Sequence, residues 1–483
     1  MQLKDTSGGS GLPSQAADLD EEDALGAAGL PPTVRVAGVS RSDVVATLLA
    51  TGLVAVAFLV PYLHDATIAP VINPARWGYH DFADAAPLFG RRNAHLGWGT
   101  PFAVVIAAAV IGWGPAVAAR LRWRTLLAIT WLLTLAWAFA LALVDGLNRG
   151  LASKFASPDE YLHDIGRFAD LGDAVRHFAA RIPDYQPDSW TTQVSGHPPG
   201  AVLTFVGLDR IGLGGPVWAA VLCTVVGTSA VVAVLVTLRA LGEEVLARRA
   251  APFLALAPGA IWIAVSADGF FTGVVAWGLA LLALSAERTV RWPGAAAVGA
   301  GVLLGFGIYL SYGLILMALP AATILLAART ARPLYGATAG ALAVAALFTA
   351  CGFWWFDGYT QVTVRYYQGV AADRPYVYWV WANFACLICI VGLAACAALP
   401  RVLRPSTLRK PAPLPVIVAA CLVAVILADL SGLSKSETER IWLPFAIWIP
   451  AATALLPRTS HRFWLILQVL GALAINHLIL TNW

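Results

Sequence analysis

Four short constellations in this sequence carry the residue types of acid–base and anion chemistry. Asp159-Glu160-Tyr161 sets two carboxyl groups side by side, and a carboxylate within reach of a hydroxyl can take its proton as that hydroxyl attacks. About 35 residues later, Gly196-His197-Pro198-Pro199-Gly200 places an imidazole ahead of two prolines, whose fixed φ makes a stiff turn. Asp268 stands within apolar sequence, where a carboxylate needs a wet cavity or a partner. Lys435-Ser436-Glu437-Thr438-Glu439-Arg440 leads into the apolar Ile441-Trp442-Leu443, while Arg365-Tyr366-Tyr367 and Arg374-Pro375-Tyr376 pair cations with rings. Guanidinium groups hold phosphate oxygens through paired hydrogen bonds. Such a ring of carboxylates, histidine and arginine suits a reaction with an anionic leaving group. The candidates for catalysis are Asp159, Glu160 and His197. Those for substrate binding are His163, Asp268, Tyr312, Arg365, Tyr367, Arg374, Lys435, Glu439 and Arg440.

Each constellation also has a plainer reading. Ser157-Pro158 before two acids suits the first turn of a helix, and His-Pro-Pro suits a helix entry with its histidine in solvent. Lys, Arg, Trp and Tyr gather at membrane interfaces without doing chemistry.

The elements that must position these residues are transmembrane helices. Hydrophobic residues make up 59% of the 483 and charged ones 12%, against about 25% charged in soluble domains. Apolar runs of the length that crosses a bilayer recur, without the alternation of a barrel, so the expected class is an all-α polytopic membrane protein. Thirteen spans are expected near 44–63, 101–119, 125–144, 217–238, 250–266, 270–286, 294–310, 313–329, 334–352, 377–399, 413–430, 441–456 and 463–481. Six linkers (120–124, 239–249, 287–292, 329–332, 401–410 and 458–462) then fall on one side, with 16 Lys/Arg and three Glu among them. By the positive-inside rule that side is cytoplasmic, and so is the amino terminus. The other side receives the long loops 64–100 and 145–216, the shorter 353–376 and 431–440, and nearly every candidate residue. In the 145–216 loop, Leu162, Ile165, Phe168, Ala169 and Leu171 could form a lipid-hugging face, and 201–208 could dip into the membrane or form the rim of the next helix.

Other features narrow the class by what they lack. Residues 1–43, with the acidic run Asp18-Leu19-Asp20-Glu21-Glu22-Asp23, have no basic-then-apolar leader and read as a disordered cytoplasmic tail; residues 44–483 form the transmembrane domain. No GxxxxGK[ST] phosphate loop is present. All six cysteines lie in apolar runs, and the Cys386/Cys389 CxxC reads as helix packing rather than a redox or metal site. The net charge of +4 reflects the basic linkers and implies no nucleic-acid partner.

Asp159-Glu160 followed by the His-Pro-Pro-Gly segment before the next span resembles the first large external loop of the GT-C glycosyltransferases. The likeness is to the branch containing protein mannosyltransferases and aminoarabinose transferases; Pro258 and Asp268 fit that family's later Pro and Asp loosely. The resemblance implies a GT-C-like helical bundle and an inverting transfer of one sugar from a polyprenyl-phosphate donor. The acceptor would be an envelope glycan, glycolipid or protein at the outer face of a bacterial plasma membrane. It implies Asp159 as the general base, with Glu160 orienting the acceptor or helping to hold a divalent cation, which some relatives need and others do not. Arg440 with Lys435 would clamp the phosphate. Ala-, Arg- and Val-rich, Lys-poor usage suggests an actinobacterial source, for which mannose or arabinose is the natural sugar. One departure stands: the family's catalytic loop follows the first span, whereas Asp159 follows the third. Two added amino-terminal helices would explain this; otherwise 64–100 is the true first loop and Asp65 or Asp81 the base. A transporter or flippase of lipid-linked sugars is the competing class. It calls for ionisable residues at mid-membrane and symmetry-related broken helices.

Overall fold

The computed structural model describes residues 38–63, 72, 84–405 and 412–482. Most of the expected tail, and the alternative acids Asp65 and Asp81, lie outside them. The chain is a helical polytopic membrane protein. Among the described residues, eight helices are long and apolar enough to cross a bilayer. They are α1 (Arg41–Leu63), α2 (Gly99–Arg120), α3 (Trp123–Ala142), α5 (Pro216–Ala240), α7 (Ala267–Ala286), α8 (Pro293–Leu310), α9 (Arg332–Ala350) and α13 (Pro413–Leu430). Between α3 and α5 lies α4 (Pro199–Arg210), and α6 (Glu244–Ala255) precedes α7.

The remaining expected spans are helical but interrupted, and the sequence supplies the cause. In 250–266, Pro258 separates α6 from the short helix Ala260–Ile263, because proline cannot donate to the helical ladder. In 377–399, Gly392 adopts φ 81°, and α11 (Tyr376–Val391) turns by 106° into α12 (Leu393–Val402). The apolar stretches Tyr312–Ala327 and Leu443–Leu455 are shorter, the second broken ahead of Pro450. Residues 463–481 form α14 (His461–Leu478), which ends in a strand. Irregular backbone at membrane depth is tolerated where protein covers it, and Ala260–Ile263 and Leu443–Ala446 are fully buried.

The two ends of the bundle are chemically distinct. At one end Arg248 donates to the carbonyls of Ala118 and Leu121, at 3.0 and 2.8 Å. Arg239 lies over the Trp123 ring there, and Arg401 pairs with buried Asp43. At the other end, strand β1 (Gly90–Arg92) pairs antiparallel with β2 (Ile479–Thr481), and His95 meets Asp145 at 2.7 Å. Helices α2 and α3, of 22 and 20 residues, hold these ends about 30 Å apart at 1.5 Å per residue.

The 145–216 loop folds over this second end around a core of its own. Trp190 is buried, stacks on Phe168 and Phe178, and donates from Nε1 to the Phe178 carbonyl at 3.0 Å. Arg167 and Arg181 lie over its ring, at 4.1 and 5.3 Å. This corrects the lipid-hugging face expected for 162–171. Phe168 turns inward onto Trp190, because the loop has enough apolar area to build a centre of its own, and Ala169 is exposed. The 201–208 stretch is the middle of α4, and its Ala201, Val202, Phe205 and Val206 are buried.

Helix α10 (Trp355–Gln368) lies in the 353–376 loop. Trp354, Phe356 and Tyr367 are exposed there, as suits a helix at a membrane–water boundary.

Candidate functional site

Asp159 and Glu160 immediately precede a 3₁₀ helix, Tyr161–Phe168. The pair therefore stands at a helix start, as the plainer reading expects, but Glu160, in the cap position, makes no side-chain capping hydrogen bond. Asp159 is exposed. Its Oδ1 accepts from the Thr192 hydroxyl at 3.2 Å, and its carbonyl accepts from the Gln193 amide at 2.9 Å. Thr192 and Gln193 belong to the turn that leads into His197, so the dyad and the His-Pro-Pro segment are stitched together. A second stitch runs through Asp164, which accepts from the Thr191 amide at 2.9 Å and from Arg167 at 3.1 Å.

Pro198 and Pro199 start α4, which fixes the direction of His197. The imidazole is not free in solvent. Its Nδ1–H donates to the Gln193 carbonyl at 2.8 Å, which leaves Nε2 as the acceptor, and its ring lies between Tyr161 and Phe271, 5.6 Å from each. Burial lowers its basicity, so the neutral form prevails at physiological pH. Gly200 completes the motif for a steric reason: a Cβ there would lie 2.5 Å from the Tyr309 carbonyl oxygen of α8.

Asp268 enters from the start of α7. Ser266 caps that helix by accepting from the Asp268 amide at 3.0 Å, and its hydroxyl donates to Asp268 Oδ2 at 2.7 Å. The same oxygen accepts from Arg440 Nη1 at 2.8 Å, while Arg440 Nη2 donates to Glu437 Oε2 at 2.8 Å. The chain of charges continues to Arg374, whose Nη1 is 3.4 Å from Glu437 Oε1 and donates to the Lys435 carbonyl at 2.9 Å. Nε and Nη2 of Arg374 are buried without a hydrogen-bond partner, and the guanidinium lies over the Phe89 and Trp379 rings at 5.5 and 5.8 Å. Ser436 and Glu437 both hold left-handed φ values, 72° and 62°, which non-glycine residues adopt at a cost of about 1 kcal/mol or more. Such strain gathers at functional sites.

Several expected residues sit beside this cluster rather than in it. Lys435 Nζ donates to the carbonyls of Ala371 and Arg374, at 2.9 and 3.2 Å, and lies 5.4 Å from the Tyr367 ring centre. Its ammonium therefore pins a loop instead of pointing at a phosphate. Glu439 accepts from the Phe89 amide at 3.0 Å, and burial pushes its carboxyl up to about 7. Arg365 pairs with Asp184 at 2.5 Å, tying α10 to the long loop. Tyr312 is buried edge-on against Trp355 and Tyr359, and His163 is exposed one turn past Glu160.

Lys154 was missed by sequence reasoning. Its Nζ lies 3.9 Å from Glu160 Oε1. Burial lowers the basicity of its amine and pushes the Glu160 carboxyl up to about 7. The available signal was rarity: the chain has four lysines, and only Lys154 and Lys435 fall in the outer loops. Among the described residues, no group of three or more His, Cys, Asp or Glu could hold a metal ion. The cations Lys154 and Arg440 face Glu160 and Asp268, and those two acids do not make a divalent-cation site.

No family model matches the chain, and no curated protein does. Three solved chains do. One is an oligosaccharyltransferase from Archaeoglobus fulgidus, crystallised with zinc and sulfate, which is 15% identical with a TM-score of 0.39. The superposition covers 63% of this chain and 46% of the archaeal one, so it spans about half of that protein's length.

Proposed function

We propose that this protein is an inverting glycosyltransferase of the GT-C type. It moves a sugar, mannose or arabinose, from a polyprenyl-phosphate donor to an envelope glycan, glycolipid or protein at the outer face of a bacterial plasma membrane. One observation carries the reading. Asp159-Glu160, His197, Asp268 and Arg440, drawn from distant parts of the chain, meet at the end of the bundle opposite the arginine-rich linkers.

Asp159, open to solvent and anchored by Thr192, takes the proton from the acceptor hydroxyl. The hydroxyl oxygen then forms its bond to the anomeric carbon as the bond from that carbon to the phosphate oxygen breaks, which inverts the configuration. The polyprenyl phosphate leaves as an anion. Arg440 and Arg374, bridged by Glu437, supply guanidinium charge for it. His197, neutral and with Nε2 as an acceptor, lines the acceptor side.

Purified protein supplied with a polyprenyl-phosphate sugar and a membrane-glycan acceptor should release polyprenyl phosphate, and Asp159→Asn should reduce that rate by 10²-fold or more, on the scale of a lost general base. Full activity in a folded Asp159→Asn protein would remove Asp159 as the base.

A further inference from the structure

Lys154 lies between a π-helical turn, Asn148–Ala152, and the Asp159-Glu160 pair. Its ammonium and the Glu160 carboxyl are both enclosed, with side chains 13% and 6% exposed, and they face each other at 3.9 Å. Among the described residues, Lys154 is the cation that comes within 4 Å of that carboxyl. Glu160 is also faced by Arg440 from the 431–440 loop, by Asp268 at the start of α7 and by its neighbour Asp159. Lys154 is faced in turn by Arg440, Glu437 and Asp159. Burial and two acidic neighbours all oppose ionisation of Glu160. A carboxyl that accepts a hydrogen bond from a sugar hydroxyl must be ionised to do so with full strength.

Resting on the transfer reading above, we propose that Lys154 is a positioning residue: its ammonium favours the charged form of Glu160 beside Asp159, so that an acceptor hydroxyl meets an ionised pair in a substantial fraction of molecules at neutral pH. Lys154 acts through Glu160 and does not itself touch the reacting atoms. With the ammonium in place the carboxyl is already held up at about 7 by burial, so loss of the ammonium carries it higher.

The infrared carboxyl band of Glu160, isolated by subtracting the Glu160→Gln spectrum, is followed against pH. Its midpoint should rise by about one unit or more in Lys154→Met and stay at the wild-type value in Lys154→Arg. The acid limb of the transfer rate should move with it: from a midpoint of about 7, a one-unit rise costs about fivefold in kcat at pH 7. In a Glu160→Gln background, Lys154→Met should cost nothing further. An unmoved midpoint, or a full additional loss in the double variant, overturns the proposal. If Lys154→Met fails to fold, the Lys154→Met/Glu160→Gln protein decides: a folded double supports the pairing, and an unfolded one assigns Lys154 a role independent of Glu160. The band needs no sugar transfer. A wild-type protein that titrates as described but transfers no sugar sinks the transferase reading alone.

Discussion

The carboxyl groups at the end of the bundle that holds the candidate site divide by their neighbours. Asp268 and Glu437 are each met by a guanidinium at 2.8 Å, whereas Glu439 is buried with a backbone amide at 3.0 Å for one oxygen. Removing the shared cation is therefore the harsher change. Arg440→Ala leaves the buried Asp268 carboxylate without its cation and Glu437 with Arg374 alone, and should cost about 3–5 kcal/mol of stability, read as a drop in Tm in detergent together with loss of transfer. Glu439 predicts the opposite sign. Its carboxyl is raised from 4.5 to about 7 by burial, so the folded protein holds that proton more tightly than the unfolded chain does. The resulting stability is fully present below pH 4.5 and is lost as pH rises through 7. Glu439→Gln, which keeps an acceptor for the Phe89 amide, should thus be more stable than wild type at pH 8 by at most about 3 kcal/mol. The two melting curves should converge at pH 4. A pH-independent difference would mean that Glu439 stays ionised.

At the scale of elements, the His-Pro-Pro-Gly segment works as a joint between α4 and α8. Gly200 lets the first turn of α4 approach the Tyr309 carbonyl, and that approach holds His197 against Tyr161 and Phe271. Gly200→Val should push α4 outward, destabilise by about 1–3 kcal/mol and reduce transfer at least tenfold. Gly207→Ala, seven residues along the same helix with open space at its Cβ, should leave both unchanged. Equal effects from the two substitutions would refute the joint. The apolar runs, the acidic pair and the His-Pro-Pro turn were legible in the sequence because each is a local pattern. The partner of Asp268 was not, since Arg440 is 172 positions away and either could have anchored at the interface. The interior of the long loop was also hidden. Trp190, Phe168 and Phe178 show no helical or strand period, and only the folded loop reveals that they stack. Pro258, Gly392 and Pro450 were visible as residues, but the apolar runs around them read as continuous spans.

At the scale of the molecule, the arginine-bearing linkers and the candidate site occupy opposite ends, and the charge rule assigns the linkers to the cytoplasm. Two exposed positions test this. In a Cys351→Ser background, which removes the exposed native thiol, Gln186→Cys in the long loop should react with an impermeant maleimide on intact cells. Glu287→Cys, in the linker between α7 and α8, should react only after permeabilisation. The reverse pattern would put the acidic pair in the cytoplasm and end the reading of an outer-face enzyme.

The short ribbon formed by β1 and β2 couples remote parts of the sequence. Asn482 donates to the Phe89 carbonyl at 2.8 Å, and the Phe89 amide donates to Glu439 at 3.0 Å. A cut before Ile479 would strip β1 of its hydrogen-bonding mate and free Phe89 to swing, two steps from the arginine that binds Asp268. Affinity handles joined directly behind β2 would tug on that same tether, so a handle for kinetic work belongs elsewhere on this protein.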